Sequence, residues 1–269
     1  MKGKDIRLKR LYKHSDKLFV VAMDHGITMG PIEGIVDIKA AAKAVYDGYA
    51  DAIVVHKGLV RDLADIDSPS LGEIMVHLSA STNLSQESNR KELVSTVEHA
   101  IRIGASAISV HVNLGSEHEG HMLQHLGMVA EECDQWGMPL LAMMYVRDGN
   151  PENEFDAGKI KHAARIAEEL GADIVKVNYS GDPESFREVT SSVNIPVVIA
   201  GGSKLDSHYD FLAMVADAIQ SGAGGVSIGR NVYQSKNPTL VAKQLRYIMD
   251  NKLTREEIQG FLDQGDLIL

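Results

Sequence analysis

The chain has 269 residues, 44% hydrophobic, 5% aromatic and 24% charged, the composition of a soluble globular protein with an aliphatic core. Its net charge of −10, with no block of like charge, argues against nucleic acid and anionic membrane as partners, since both demand a basic face. No apolar run approaches the roughly 20 residues of a membrane span, the segment "MKGKDIRLKRLYKHSDK" lacks a signal peptide's apolar core, and the single cysteine, Cys133, excludes an internal disulfide, so the expected compartment is the cytoplasm.

In chain order, strands are predicted at Leu18–Met23, Ala52–His56, Glu73–Leu78, Ala107–Val112, Pro139–Val146, Asp173–Asn178, Pro196–Gly201 and Gly225–Gly229. Four of them follow one grammar: "GYADAIVVH" from Gly48, "GASAISVH" from Gly104, "GADIVKVN" from Gly171 and "GAGGVSIG" from Gly222. In each, a glycine closes a helix in the left-handed conformation, a small residue follows, and an Ile/Val-rich run begins. Helical patterns lie between, as in "DAGKIKHAARIAEELG", where Ile160, Ala163, Ala164, Ala167 and Leu170 recur at helical spacing. Cys133, in the helical "MVAEECDQWG", reads as a buried structural thiol. Strands alternating with helices, without a linker, predict an α/β fold: a single (β/α)8 TIM barrel over residues 1–269. A doubly wound sheet is the alternative, weakened by the lack of G-x-G-x-x-G after the first strand.

A barrel places its chemistry where strands end. Those ends read Asp24 and His25, His56 and Lys57, His77, His111 and Asn113, Tyr145 and Arg147, Lys176, Gly201 and Gly202, then Gly229 and Arg230. Lys176 stands among Ile174, Val175 and Val177; apolar surroundings disfavour its ammonium and leave an amine able to attack a carbonyl and form a Schiff base. The bland alternative is a structural ion pair or a rim lysine. A Schiff-base reaction also needs a group that moves a proton, and Asp24 and Tyr145 are the candidates, against a turn cap and a packed rim ring. "GGSK" and "GR", with Arg230 or Lys204, sit where barrels bind phosphate; otherwise Arg230 pairs with a surface acid such as Asp206 or Asp210. Two rivals stand beside this reading. One is a metal-dependent lyase or hydrolase using Asp24, His25, His56, His77 and His111, although no His-x-His occurs. The other is a non-catalytic phosphosugar-binding barrel, which leaves Lys176 unexplained.

The segments "VAMDHG", "VVHKG", "VHLSAST", "SVHVNLGSE", "WGMPLLAMMYVR", "GADIVKVNYSGD", "AGG" and "GRNVYQ" closely resemble the DhnA-type class I aldolases over nearly the whole chain. Within that group "HLSAST" and "HVNLGSE" look more like the 2-amino-3,7-dideoxy-D-threo-hept-6-ulosonate synthases than the fructose-bisphosphate aldolases. The resemblance implies a transaldolase-like condensation of a phosphorylated ketone donor with L-aspartate semialdehyde, early in an alternative aromatic or aminobenzoate pathway. It implies no cofactor, no metal, and a homo-oligomer, often a ring-based decamer. By the same resemblance Lys176 is the Schiff-base lysine, Asp24 the proton acceptor and Tyr145 the proton donor. The resemblance further implies that substrate is held by Asp24, His25, Gly26, Ile27 and Thr28, by Tyr145, Val146 and Arg147, by Lys176, by Gly201 and Gly202, and by Gly229 and Arg230. Two departures bear on the donor: Tyr145-Val146-Arg147-Asp148-Gly149 replaces the family's Tyr-Pro-Arg-Gly, and Gly201-Gly202-Ser203-Lys204 its Gly-Gly-Pro-Lys. Asp148 is expected to add an acid near the phosphate-directed mouth.

Overall fold

The computed structural model describes residues 2–263. Eight parallel strands close into a barrel, each hydrogen-bonded to its neighbours in chain order and the last to the first. They are Leu18–Ala22, Ala52–Val55, Glu73–His77, Ala107–Leu114, Leu140–Val146, Ile174–Val177, Val197–Ala200 and Gly225–Ile228. All eight fall on predicted segments, mostly a residue shorter at an end. The fourth runs two residues further than expected, because Asn113 and Leu114 stay in register with Tyr145 and Val146 of the fifth.

The pleat sorts each strand into two faces. Val20, Ala52, Val54, Met75, Ala107, Leu141, Met143, Ile174 and Val198 fill the barrel interior. Phe19, Val21, Ile53, Val55, Val76, Ile108, Ala142, Val175, Ile199 and Ile228 face outward into a second core beneath the helices. Lys176 is two residues on from Ile174, so the same alternation turns it inward, between Met143 of the fifth strand and Val198 of the seventh.

An N-terminal helix, Lys2–Leu11, closes the barrel from below: Leu8, Leu11 and Tyr12 join the interior cluster. Asp51, fully buried, ties that end together. Its carboxylate accepts from the Phe19 N–H at 2.8 Å and from Arg246 Nη2 at 2.6 Å, and lies 2.8 Å from His14 Nδ1.

Gly104, Gly171 and Gly222 take positive φ as the joint grammar requires, but Gly48 does not; Tyr49 does, at φ 66. Gly48 serves packing instead. A Cβ there would lie 2.4 Å from Ala242 Cβ and 2.7 Å from the Thr239 carbonyl oxygen, so only glycine lets the helix Pro238–Asn251 approach. Cys133 is buried in the helix Glu119–Trp136, and burial pushes its thiol up to about 12, as befits a structural residue. No helix among the described residues is long and apolar enough to cross a membrane.

Candidate active site

Inward-facing residues at the C-terminal strand ends line one cavity of about 230 Å³. Asp24, His25, His56, His77, His111, Tyr145, Arg147 and Lys176 line it, with Gly201, Gly202, Gly229 and Arg230 along the side of strands seven and eight. Ile27 and Thr28 complete the wall above strand one. Gly26 and Val146 do not reach it. The pleat that brings Tyr145 in turns Val146 out, and Gly26 faces an adjacent groove with Pro31 and Ile35.

Lys176 is 6% exposed and, among the described residues, has no carboxylate within 4 Å of its amine. Its surroundings are Met143, Ile174 and Val198 below and the cavity above. The structural ion pair proposed as its bland alternative is therefore absent among these residues. Asp24 follows strand one and is held by imidazoles on two sides: Oδ1 is 3.7 Å from His25 Nδ1, and Oδ2 is 3.8 Å from His77 Nε2. Burial works against its charge, but His77, His25, Lys176 and His56 outweigh burial and hold the carboxyl well below the usual range. His77 is pushed down to about 3 and His111 well below its usual value, in both cases chiefly by burial. At neutral pH the site is thus a carboxylate among neutral rings, which suits hydrogen bonding to a hydroxylated substrate.

Tyr145 packs its ring 4.9 Å from that of His111, and the Arg147 guanidinium stands 5.5 Å from the Tyr145 ring centre. His111 Nε2 is 2.8 Å from Asn113 Oδ1, and Asn113 donates to the Asn89 carbonyl at 2.7 Å. Arg147 is paired with Glu154 of the short turn Pro151–Glu154. Asp148 corrects an expectation: its carboxylate turns into its own loop, where it accepts from Lys159 at 2.6 Å, Asn153 at 2.8 Å and the Asn150 N–H at 3.1 Å. It adds no acid to the mouth.

The glycine turns of strands seven and eight are stapled together. Asn231 donates to the carbonyls of Gly201 at 2.8 Å and Ser203 at 3.0 Å and accepts from the Leu205 N–H at 2.8 Å, while Arg230 Nη2 donates to the Gly202 carbonyl at 3.1 Å. Arg230 therefore turns to the cavity rim and forms no pair with Asp206 or Asp210. Gly229 has no room for a side chain: a Cβ would sit 2.5 Å from the Ala22 carbonyl oxygen and 2.7 Å from the His25 ring. Lys204 is drawn away to the Gln234 carbonyl, 2.8 Å distant.

Sequence reasoning missed Lys91, Ser79, Ser81 and Asn178, which also line the cavity. After strand three the chain forms an antiparallel pair, Ser79–Ala80 with Glu92–Leu93, whose arm delivers Lys91 over the mouth beside the Ser81 hydroxyl. The Thr28 hydroxyl donates to the Ser81 carbonyl at 3.1 Å, locking this arm to the loop after strand one. The histidines invoked for a metal centre do not converge on one point, because Asp24 offers different oxygens to His25 and His77. Among the described residues, the groups whose ligand atoms do converge lie elsewhere.

The chain is similar to known proteins over nearly its whole length. Residues 18–235 match the pattern of the DeoC/LacD family aldolases. The chain is 43% identical over 272 residues to 2-amino-3,7-dideoxy-D-threo-hept-6-ulosonate synthase 1 of Archaeoglobus fulgidus, an alignment covering 100% of this chain and 98% of that protein. It is 42% identical over 254 residues to 2-amino-4,5-dihydroxy-6-oxo-7-(phosphonooxy)heptanoate synthase of Streptomyces griseus, covering 94% and 92% respectively. Among solved structures, an archaeal fructose-1,6-bisphosphate aldolase whose catalytic lysine is covalently bound to the carbinolamine intermediate superposes with a TM-score of 0.81 at 28% identity, over 91% of this chain and 99% of that one.

Proposed function

The chain belongs to the DeoC/LacD family of aldolases, and on that footing we propose that it forms a Schiff base at Lys176 with a phosphorylated ketone donor and delivers the resulting enamine to L-aspartate semialdehyde. The observation that carries this reading is the inward-facing, 6% exposed Lys176 opening onto the same cavity as Asp24 and Tyr145.

The names of the two relatives narrow the substrates. In both products carbons 1 to 4 carry the 2-amino acid and a 4-hydroxyl, and carbons 5 to 7 carry the ketone. Breaking the bond between carbons 4 and 5 returns aspartate semialdehyde and a three-carbon hydroxyketone. Carbon 7 is a methyl in the Archaeoglobus product and a phosphate ester in the Streptomyces one. The acceptor is common to both, and the two relatives differ only in the donor.

The proposed steps use the side chains where they stand. The Lys176 amine attacks the donor ketone, and loss of water gives a protonated imine that withdraws electrons from the adjacent bond. Asp24, a carboxylate at neutral pH, takes a proton in forming the enamine: from a longer ketose it takes the hydroxyl proton as the carbon–carbon bond breaks and the remaining fragment leaves as an aldehyde, and from dihydroxyacetone phosphate it takes a proton of the hydroxylated carbon beside the imine. The enamine attacks the semialdehyde carbon, Tyr145 gives its proton to the new alkoxide, and water hydrolyses the product imine.

Gly201, Gly202, Gly229 and Arg230 are assigned to the donor phosphate: the carbonyls of that loop bond to Asn231 and Arg230, which favours its N–H groups for an anion. His25, Ile27, Thr28 and Arg147 line the remainder, with Gly26 and Val146 supporting them from behind. Lys91 comes from the arm after strand three, across the barrel from strand seven, and is assigned to the acceptor's carboxylate. A cytoplasmic homo-oligomer remains part of the proposal, in keeping with exposed apolar side chains such as Val36, Trp136 and Phe155.

Incubating the protein with L-aspartate semialdehyde and, separately, dihydroxyacetone phosphate or a phosphorylated deoxy-diketohexose tests the assignment by product mass. A seven-carbon amino keto acid is expected, with or without phosphate according to donor. Absence of any such product with either donor overturns it.

A further inference from the structure

Away from the barrel mouth, three side chains converge that the proposed reaction does not use. His121 and His125 stand one turn apart on one face of the helix Glu119–Trp136, with ring centres 4.0 Å apart. The antiparallel arm brings Glu92 against them. One ligand atom from each of Glu92, His121 and His125 lies within 4.8 Å of the other two, and His121 Nε2 is 2.9 Å from Glu92 Oε2.

That spacing is close to coordination distance. Two ligand atoms each about 2.1 Å from a zinc ion at the tetrahedral angle lie about 3.4 Å apart, so opening the pair by about half an ångström admits the ion. Arg90 Nε donates to the other carboxylate oxygen, Oε1, at 2.6 Å, leaving Oε2 to face the imidazoles. An ion pair of His121 with Glu92 accounts for one histidine only. It gives no reason for His125 to stand against His121, where two protonated rings would repel each other.

We infer that Glu92, His121 and His125 form a binding site for a divalent transition-metal ion of the zinc class, and that the ion fastens the arm of residues 79–93 to the helix. Two imidazoles and one carboxylate suit zinc, cobalt or nickel rather than calcium or magnesium, which favour oxygen ligands. Lys91 directly precedes Glu92 and lines the catalytic cavity, so fastening Glu92 also fixes the backbone that aims Lys91. The ion takes no part in the carbon–carbon bond chemistry.

The test uses tag-free protein dialysed against chelator and titrated with zinc by calorimetry, with cobalt as a spectroscopic probe. One equivalent of zinc per chain is expected, with tetrahedral cobalt absorption. His125→Ala and Glu92→Gln should each weaken zinc binding at least ~10-fold, whereas His162→Ala, on another helix, should not. Zinc should also slow amide exchange of residues 79–93 in the wild type and not in His125→Ala. Zinc affinity unchanged by His125→Ala and Glu92→Gln, or no stoichiometric binding, overturns the site; unchanged exchange overturns the fastening role. None of these readouts depends on aldolase activity.

Discussion

Nε2 of His77 stands 3.8 Å from Oδ2 of Asp24, while Nδ1 of the same ring is hydrogen-bonded to the Ser109 hydroxyl at 2.7 Å. The ring is thus pinned between strands three and four with one nitrogen toward the Asp24 carboxylate. Burial, against the pull of Asp24, pushes His77 down to about 3, so it stays neutral across the range in which an unfolded imidazole, near 6.5, takes a proton. Between those values the unfolded chain binds the extra proton, and stability falls as pH falls. From pH 7 to pH 5 this ring alone removes about 2 kcal/mol. His111 acts in the same direction. Urea unfolding of wild type and His77→Asn at the two pH values should show a smaller loss in the variant by about that amount; equal losses would show that His77 is not held neutral.

Tyr145 separates proton transfer from binding. Tyr145→Phe keeps the ring packed on His111 and Arg147 but removes the hydroxyl. Turnover should fall by about 10²–10⁴ with imine trapping still detectable. Unchanged turnover would pass the proton-donor role to another group or to water.

Arg230 and Lys91 lie on opposite walls of the cavity, which predicts a split in their kinetics. Arg230→Ala should raise KM for the phosphorylated donor, and Lys91→Met KM for aspartate semialdehyde, each by about 10- to 100-fold for the loss of a charged hydrogen bond. Should both variants weaken the same substrate, one of the two walls is misassigned.

Asp51 supplies the contrast at the other end of the barrel. Its carboxylate is fully buried against Arg246, His14 and the Phe19 N–H. Asp51→Ala removes the fully buried partner of the Arg246 guanidinium, leaving it the partly exposed Asp250 at 3.2 Å, and should cost about 3 kcal/mol. Imine trapping per folded molecule should be retained, since the cavity lies at the opposite strand ends. A stable variant that no longer traps donor would contradict this division of labour between the two ends.

The strands were legible because buried β-branched runs and closing glycines are local signals, and reading the residues at the strand ends then named Lys176, Tyr145 and the inner histidines without further information. Gly48 was misread as a cap because a glycine needed for contact with Ala242 looks the same in sequence as one needed for positive φ. The N-terminal helix escaped notice because it is mostly polar and plugs the barrel with only Leu8, Leu11 and Tyr12. Lys91 was not legible at all: a lysine in a polar loop becomes a site residue only when the antiparallel arm folds back over the mouth. His121 and His125 had readable helical spacing, but Glu92 lies 29 residues before His121 and joins them only through the same arm.

The covalent intermediate is the most direct test of the account. Borohydride added to the protein with a phosphorylated ketone donor should fix an adduct equal in mass to the chain plus the reduced donor, on the peptide carrying "IVKVNYSGD". Lys176→Arg should abolish it, because a guanidinium stays protonated. An adduct that persists in Lys176→Arg, or a wild-type enzyme that turns over yet is insensitive to borohydride and loses activity to chelator, would contradict the assignment of Lys176 as the nucleophile.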